Sequence, residues 1–191
     1  MERKLCKEIG GWQDQIAVSF GGFNRIDFKN SSYEVKPINI PVERKKQLNN
    51  NLLLFFTGFT RLSSEIHKEN NMEANKKYKV INEMVKLVDE AENILIDSNK
   101  DLDDFGRLLH KTWILKKQTG DNVSSKTIDE LYEKGIKAGA LGGKLLGAGG
   151  GGFLLFYVSP DKKDEVIKEL KDLLYIPFDF ESEGSQIVYN N

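Results

Sequence analysis

Cysteine occurs once in the 191 residues, at Cys6, so no intramolecular disulfide can form and no cysteine-based metal cluster can be assembled. Histidine occurs twice, as His67 and His110, far apart and without the spacing of a zinc-protease helix. No apolar run approaches the roughly 18 residues that would cross a bilayer, and Met1 to Gly11 holds no apolar secretion core. Net charge is also nearly absent. The 28 Lys and Arg against 29 Asp and Glu leave −1, which provides no footprint for nucleic acid or a membrane surface. Such cysteine usage suits a cytoplasmic protein. With 39% hydrophobic and 30% charged residues, the chain has the make-up of an ordinary soluble globular protein. Its length gives one domain with a real core, or one and a half small ones.

Glu2 to Glu8 reads as the end of a helix closed by Gly10-Gly11. A short apolar stretch, Ile16 to Phe20, runs into Gly21-Gly22, and Phe23 to Phe28 with Tyr33 to Ile40 forms a hairpin pattern around Lys29–Ser32. Pro41 to Asn51 is polar and reads as a connector, the expected domain boundary. Leu52 to Phe56 is a continuous apolar run of strand length. Three helical stripes follow: Val80 to Leu95, Leu102 to Trp113, and Ile128 to Ile136, the last opened by Thr127 and Glu130 in capping-box spacing. Lys144–Leu146 and Phe153–Val158 read as two strands around a glycine run. Ser159-Pro160 opens a helix whose apolar face is Val166, Ile167, Leu170, Leu173 and Leu174, and Gln186 to Tyr189 is expected as a last strand. That order is an α+β sandwich of ferredoxin-like type.

Seven of the eleven residues from Gly142 to Gly152 are glycine. A flexible linker would have polar borders, whereas this run lies between Lys144-Leu145-Leu146 and Phe153-Leu154-Leu155-Phe156. Pinned between buried strands, a glycine loop can take positive φ and offer bare N–H groups to an anion. A tight structural hairpin without a ligand remains the plain alternative. The run is not a Walker A loop, because no Lys-Ser or Lys-Thr pair follows the glycines, and it opens onto a strand, unlike a dinucleotide fingerprint. The second signal is Gly10-Gly11-Trp12-Gln13-Asp14-Gln15 before Gly21-Gly22-Phe23. Asp14 either caps a helix over Gln15 to Phe20 or is an anion placed beside a substrate hydroxyl. Thr57, Thr60 and Arg61 follow a buried strand and either face a phosphate, which arginine binds bidentately, or form a solvated helix start. Lys144 has charge to offer a phosphate or a nearby carboxylate, and both histidines read as surface or packing residues.

Together these segments resemble the GHMP kinases. Gly142 to Gly152 is similar to the third signature motif of that family, and Gln13-Asp14-Gln15 to the segment that carries a catalytic aspartate. Gly11-Trp12-Gln13-Asp14-Gln15-Ile16-Ala17, Leu53 to Arg61, Leu109 to Trp113 and Ile128 to Lys144 most resemble the bacterial D-glycero-D-manno-heptose 7-phosphate kinase branch. The resemblance spans essentially the whole chain. It implies ATP and Mg2+ as cofactors, a sugar or sugar phosphate as acceptor, and Asp14 as catalytic residue. It further implies Gly22, Asn24, Thr57 and Arg61 on the substrate, and Lys144, Gly147, Ala148, Gly149, Gly150, Gly151 and Gly152 at the nucleotide.

The family's Pro-x-x-x-Gly-Leu-Gly-Ser-Ser loop, which wraps the ATP phosphates and ligates magnesium, is not in these 191 residues. The expectation is therefore a C-terminal portion. Residues 1–42 would be a remnant of a ribosomal-S5-like N-terminal domain, and 43–191 a ferredoxin-like GHMP C-terminal domain. Three functions compete: a kinase active at full length with this chain alone inactive, a non-catalytic self-associating module, or a sugar-binding regulator on the same scaffold. A homodimer through the exposed N-terminal segment is expected, with no nucleic-acid or membrane partner.

Overall fold

The computed structural model describes residues 11–30, 32–58, 74–120, 123–147 and 151–189. The helix end expected at Glu2–Glu8, and Cys6, Thr60, Arg61, His67, Ala148, Gly149 and Gly150, lie outside the described residues.

The chain mixes helices and strands in an α+β arrangement. Helix α1 (Gln13–Phe20) leads through Gly21-Gly22 into strand β1 (Asn24–Lys29), which pairs antiparallel with β2 (Ser32–Pro37) in a two-stranded sheet. Helix α2 (Val42–Asn50) precedes β3 (Leu52–Phe56). Three helices follow: α3 (Ala74–Ile96), α4 (Asp103–Lys117) and α5 (Lys126–Lys137). Then come β4 (Ala140–Leu146), β5 (Phe153–Val158), a short 3-10 turn at Pro160–Lys162, α6 (Lys163–Glu169) and β6 (Leu174–Ile176).

Strands β3 to β6 make one antiparallel sheet in the order β4-β5-β3-β6. The apolar run Leu52–Phe56 lies inside it, paired with β5 on one side and β6 on the other, which is why it reads as continuously apolar. One face carries Leu53, Phe55, Leu154, Phe156 and Val158 against Ile128 and Tyr132 of α5 and Val166 and Leu170 of α6. The other carries Leu52, Leu155 and Tyr157 against Leu108 and Leu115 of α4 and Leu87 and Ile94 of α3. Each such side chain contributes about 1.5–3 kcal/mol when fully buried.

Helix α4 lies directly on β4. A Cβ at Gly142 would stand 2.0 Å from the carbonyl oxygen of Gly106 and 2.6 Å from the amide of His110, so only glycine lets the two backbones approach this closely. Asp103 and Asp104 in its first turn and Lys116 and Lys117 in its last complement the helix dipole.

Several expectations are corrected. The segment read as a polar connector is helix α2. Leu48 is buried, and Arg44 is buried because its guanidinium donates to the carbonyl oxygens of Ile94 (2.6 and 3.1 Å) and Lys100 (2.9 Å), closing the end of α3. Helix α5 is capped by Ser125, whose hydroxyl accepts from the Ile128 amide at 3.3 Å, two residues before the expected Thr127. Leu174 leaves the predicted helix face and is exposed in β6, because the chain has already turned at Leu170. Gln186–Tyr189 forms no strand, and Ile187 and Val188 are 85% and 95% exposed.

The N-terminal unit packs on its own domain. Arg25 of β1 donates to Asp27, Asp89 and Glu92 at 2.7–2.8 Å, tying the hairpin to α3. Phe23 packs edge-on against Phe180, at a centroid distance of 5.5 Å. The segment around Glu183 and Gly184 lies against the end of α1. The Ser185 amide donates to the carbonyl oxygens of Val18 and Ser19 at 3.1 and 3.3 Å, two acceptors that the helix end cannot satisfy itself.

Candidate functional site

Asp14 lies in the first turn of α1, behind Trp12 at the cap position, and its side chain is exposed. It does not cap the helix, which begins one residue earlier, at Gln13. Ile16 is the one buried residue of α1 and anchors it. The helix stops at Gly21 and Gly22, both at positive φ (63° and 72°). Asn24 donates its side-chain amide to the Gly21 carbonyl at 2.5 Å, so it holds the turn beside Gly22. Asn24 and Gly22 therefore form one unit with α1.

Thr57 follows β3 and is buried. Its amide and its hydroxyl both donate to the Gly152 carbonyl at 2.9 Å, and the hydroxyl accepts from the Gly152 amide at 3.2 Å. This clamp holds the far end of the glycine loop to the end of β3. Gly147 and Gly152, at φ 116° and 113°, mark where the chain leaves β4 and re-enters β5. A Cβ at Gly152 would stand 2.4 Å from the Leu146 carbonyl oxygen, so the loop's two ends meet backbone to backbone.

Lys144 projects from β4 two residues before the loop. Part of its side chain reaches solvent, yet its pKa lies below the ordinary lysine range. The causes are, first, burial of the ammonium and, second, the positive charge of Lys116; the nearby Asp14 carboxylate works in the opposite direction. The structure thus brings Lys144 within charge–charge range of Asp14 and joins Thr57 to Gly152. Lys116 is also depressed, by burial and then by Lys77.

Sequence reading missed Lys116 and Lys77. Each belongs to a lysine run on an amphipathic helix and is indistinguishable there from a solvated surface charge. His110 is a packing residue, as expected: its ring stacks on Tyr132, with Nδ1 2.9 Å from the phenol oxygen. Tyr132 in turn donates to the Gly143 carbonyl at 3.4 Å. Burial pushes the Tyr132 phenol well above the ordinary tyrosine range.

Among the described residues, no group of three or more His, Cys, Asp or Glu comes together to hold a metal ion. No helix among them is long and apolar enough to cross a membrane.

Residues 84–176 match the family described as GHMP kinases C terminal. The D-glycero-alpha-D-manno-heptose 7-phosphate kinase of Campylobacter jejuni is 33% identical over 189 residues, 96% of this chain and 55% of that protein. A crystal structure of a Campylobacter jejuni protein described as a sugar kinase superposes with a TM-score of 0.70 at 32% identity, over 96% of this chain and 52% of that one. A D-glycero-D-manno-heptose 1-phosphate kinase from Bacteroides thetaiotaomicron superposes at 0.66 with 26% identity, over 98% of this chain and 53% of that one. The chain belongs to the GHMP kinases, a family of small-molecule kinases, and carries their C-terminal domain. It spans about half the length of these relatives.

Proposed function

We propose that this chain is the acceptor-binding and catalytic C-terminal part of an ATP-dependent sugar kinase, with a heptose phosphate as its acceptor. The observation that carries the reading is the convergence of Asp14, Lys144 and a glycine loop clamped by Thr57 at one end of the sheet. The β-α-β-β-α-β order and the strand order β4-β5-β3-β6 support a ferredoxin-like domain from residue 43 onward. Residues 1–42 are assigned to the end of a ribosomal-S5-like N-terminal domain.

Phosphoryl transfer depends mainly on positioning and charge stabilisation. Asp14 accepts the proton of the sugar hydroxyl, or orients that hydroxyl toward the γ-phosphorus, as the new oxygen–phosphorus bond forms and the bond from the γ-phosphorus to the bridging oxygen of ADP breaks, with ADP leaving. Gly22 and Asn24 shape the turn behind it. Thr57 acts through the loop, fixing its far end at Gly152 against the end of β3. Arg61 is assigned to the acceptor. ATP supplies the phosphoryl group, and the family's Gly-Leu-Gly-Ser-Ser loop that holds its phosphates is not in this sequence. Backbone donors of that kind are worth on the order of 3 kcal/mol each, so the 191-residue chain by itself turns over no ATP.

The test joins the chain in frame to an N-terminal half that carries the Gly-Leu-Gly-Ser-Ser loop. ADP release is then followed with D-glycero-D-manno-heptose 7-phosphate as acceptor. The expected result is acceptor-dependent ADP release from the joined protein and none from the chain alone. A joined protein that binds ATP and phosphorylates no sugar or sugar phosphate sinks the kinase reading.

A further inference from the structure

The block Leu109 to Trp113, to which the kinase reading gives no task, meets α5 and β4 through His110. The half-buried imidazole stacks on the Tyr132 ring, with centroids 5.9 Å apart and 16° between the planes, and its Nδ1 lies 2.9 Å from the phenol oxygen. Tyr132 is 1% exposed. Its ring also stacks with Phe156 at 5.5 Å and lies tilted against Trp113 at 6.0 Å. Its oxygen stands 3.4 Å from the carbonyl oxygen of Gly143. Packed among three rings, the phenol cannot swing from one neighbour to the other. Only its proton can change sides.

A phenol has one proton to donate, so Nδ1 of His110 and the Gly143 carbonyl cannot both receive it. A bare Nδ1 takes that proton, and the carbonyl loses this donor. An Nδ1 that carries hydrogen donates to the phenol oxygen instead, and the phenol proton goes to Gly143. The imidazolium carries hydrogen on both nitrogens and permits only the second arrangement, whereas the neutral ring permits either, according to tautomer. The charge of His110 is thereby tied to a hydrogen bond that its own side chain does not touch. That bond lies on β4, an edge strand joined to the sheet by β5 alone. Gly143 stands four residues before Gly147, where the chain leaves β4 for the glycine loop. The charged groups next to the pair in sequence, or one turn away, are Arg107 and Lys111 on α4, Asp129 and Glu133 on α5, and Lys144 on β4. Arg107 is paired with Asp104 and Asp129 with Lys117, while the charge of Glu133 helps to keep the phenol protonated. Among the described residues, Tyr132 makes the one hydrogen bond to a ring nitrogen of His110, so a change of charge there is passed on through the phenol.

We infer that His110 is a positioning residue for the glycine loop: its protonation commits the Tyr132 hydroxyl to the Gly143 carbonyl and so ties β4 to α5 at the entrance of the loop as pH falls. The loop's part in handling phosphate belongs to the kinase reading, and the relay from His110 to Gly143 stands without it.

The first test needs no turnover, so its failure is distinct from failure of the kinase assay. The ring signals of His110 are followed by NMR in the 191-residue protein from about pH 5 to 8, the span over which histidines change charge. The Gly143 carbonyl carbon and the Lys144 amide nitrogen belong to one peptide group, so both report the bond. Both are expected to shift along the His110 titration curve, with the same midpoint. Tyr132→Phe keeps the ring and removes the hydroxyl; His110 should still titrate, and the two backbone signals should lose that shift. His110→Phe keeps a ring on Tyr132 without nitrogens and should lose it as well. Wild-type backbone signals that ignore the His110 titration overturn the inference, whatever the variants do. Signals that follow it equally in Tyr132→Phe, with an otherwise native amide spectrum, overturn the relay and leave only the ring charge acting through space. In the joined kinase the same titration is expected in kcat/KM and is expected to vanish in Tyr132→Phe. A pH profile of kcat/KM that Tyr132→Phe leaves unaltered overturns the positioning role.

Discussion

Thr57 shows how one side chain is used in place of many. A buried hydroxyl that both donates to and accepts from one glycine fixes that residue in translation and rotation. Thr57→Val keeps the shape and removes both side-chain bonds, leaving the Gly152 amide without its partner. Such a buried loss costs about 1–3 kcal/mol. In the joined kinase, Thr57→Val is expected to lower kcat at least tenfold with a smaller change in melting temperature, measured by coupled assay and calorimetry. Thr57→Ser, which keeps the hydroxyl, should recover most of the activity. Asp14 answers to a different test. It is exposed and caps nothing, so Asp14→Asn is expected to lower kcat by about 100-fold with an unchanged melting temperature. Lost stability with retained kcat would return Asp14 to a merely structural role.

At the scale of elements, legibility followed burial. Leu52–Phe56 was readable to the residue because a strand with neighbours on both sides must be apolar throughout. The hairpin was readable from its alternation and turn, with β2 ending at Pro37 rather than running on to Ile40. Helix α2 was hidden, because its burial depends on Leu48 and on an arginine whose partners are backbone carbonyls 50 and 56 residues away. Strand β6 was hidden because Leu170, Leu173 and Leu174 continue a helical stripe past the point where the helix ends. At the candidate site, Asp14 and the glycine run stand out as motifs, whereas the clamp between Thr57 and Gly152 joins residues 95 apart and shows only in the fold. The contact between α1 and residues 183–185 was not legible either, since it is made by backbone. A Cβ at Gly184 would stand 2.2 Å from the Ser19 carbonyl oxygen and 2.7 Å from the Phe20 carbonyl carbon. Gly184→Ala is therefore expected to cost about 1–3 kcal/mol in urea unfolding and to speed amide exchange across α1. Unchanged exchange in α1 would mean that the helix does not need this strap.

For the molecule as a whole, alkaline pH offers a clean probe. Burial is the first cause that raises the Tyr132 and Tyr157 phenols, while both tyrosines ionise at the ordinary value of about 10 once the chain unfolds. A folded-state pKa above the unfolded one gives stability that is present below pH ~10 and is lost as pH rises beyond it. Unfolding by urea should therefore become easier from pH 10 upward. Of the six tyrosines, these two should ionise, by ultraviolet absorbance, only as the chain unfolds. Self-association is the second property at this scale. Trp12, Val18, Phe20, Phe28 and Tyr33 are 36–68% exposed on one small unit whose two-stranded sheet has open edges. Light scattering is expected to give about twice the chain mass of 21.7 kDa, with Phe28→Glu returning it to the monomer. A wild-type mass of one chain, with the hairpin ordered, would show that docking on α3 is enough.

The strap over α1 also sets an order of events. Arg25 reaches Asp89 and Glu92, Phe23 meets Phe180, and the last carbonyls of α1 wait for the amide of Ser185. On a ribosome, which adds roughly 5–20 residues each second, the segment bearing Asp14 is made well before Phe180 and Ser185, the partners of its unit. Contacts between residues so far apart in sequence form late and slow folding. The sheet and its helices can close as soon as β6 is made, whereas α1 waits for the residues that follow it, so the segment bearing Asp14 is among the last to settle.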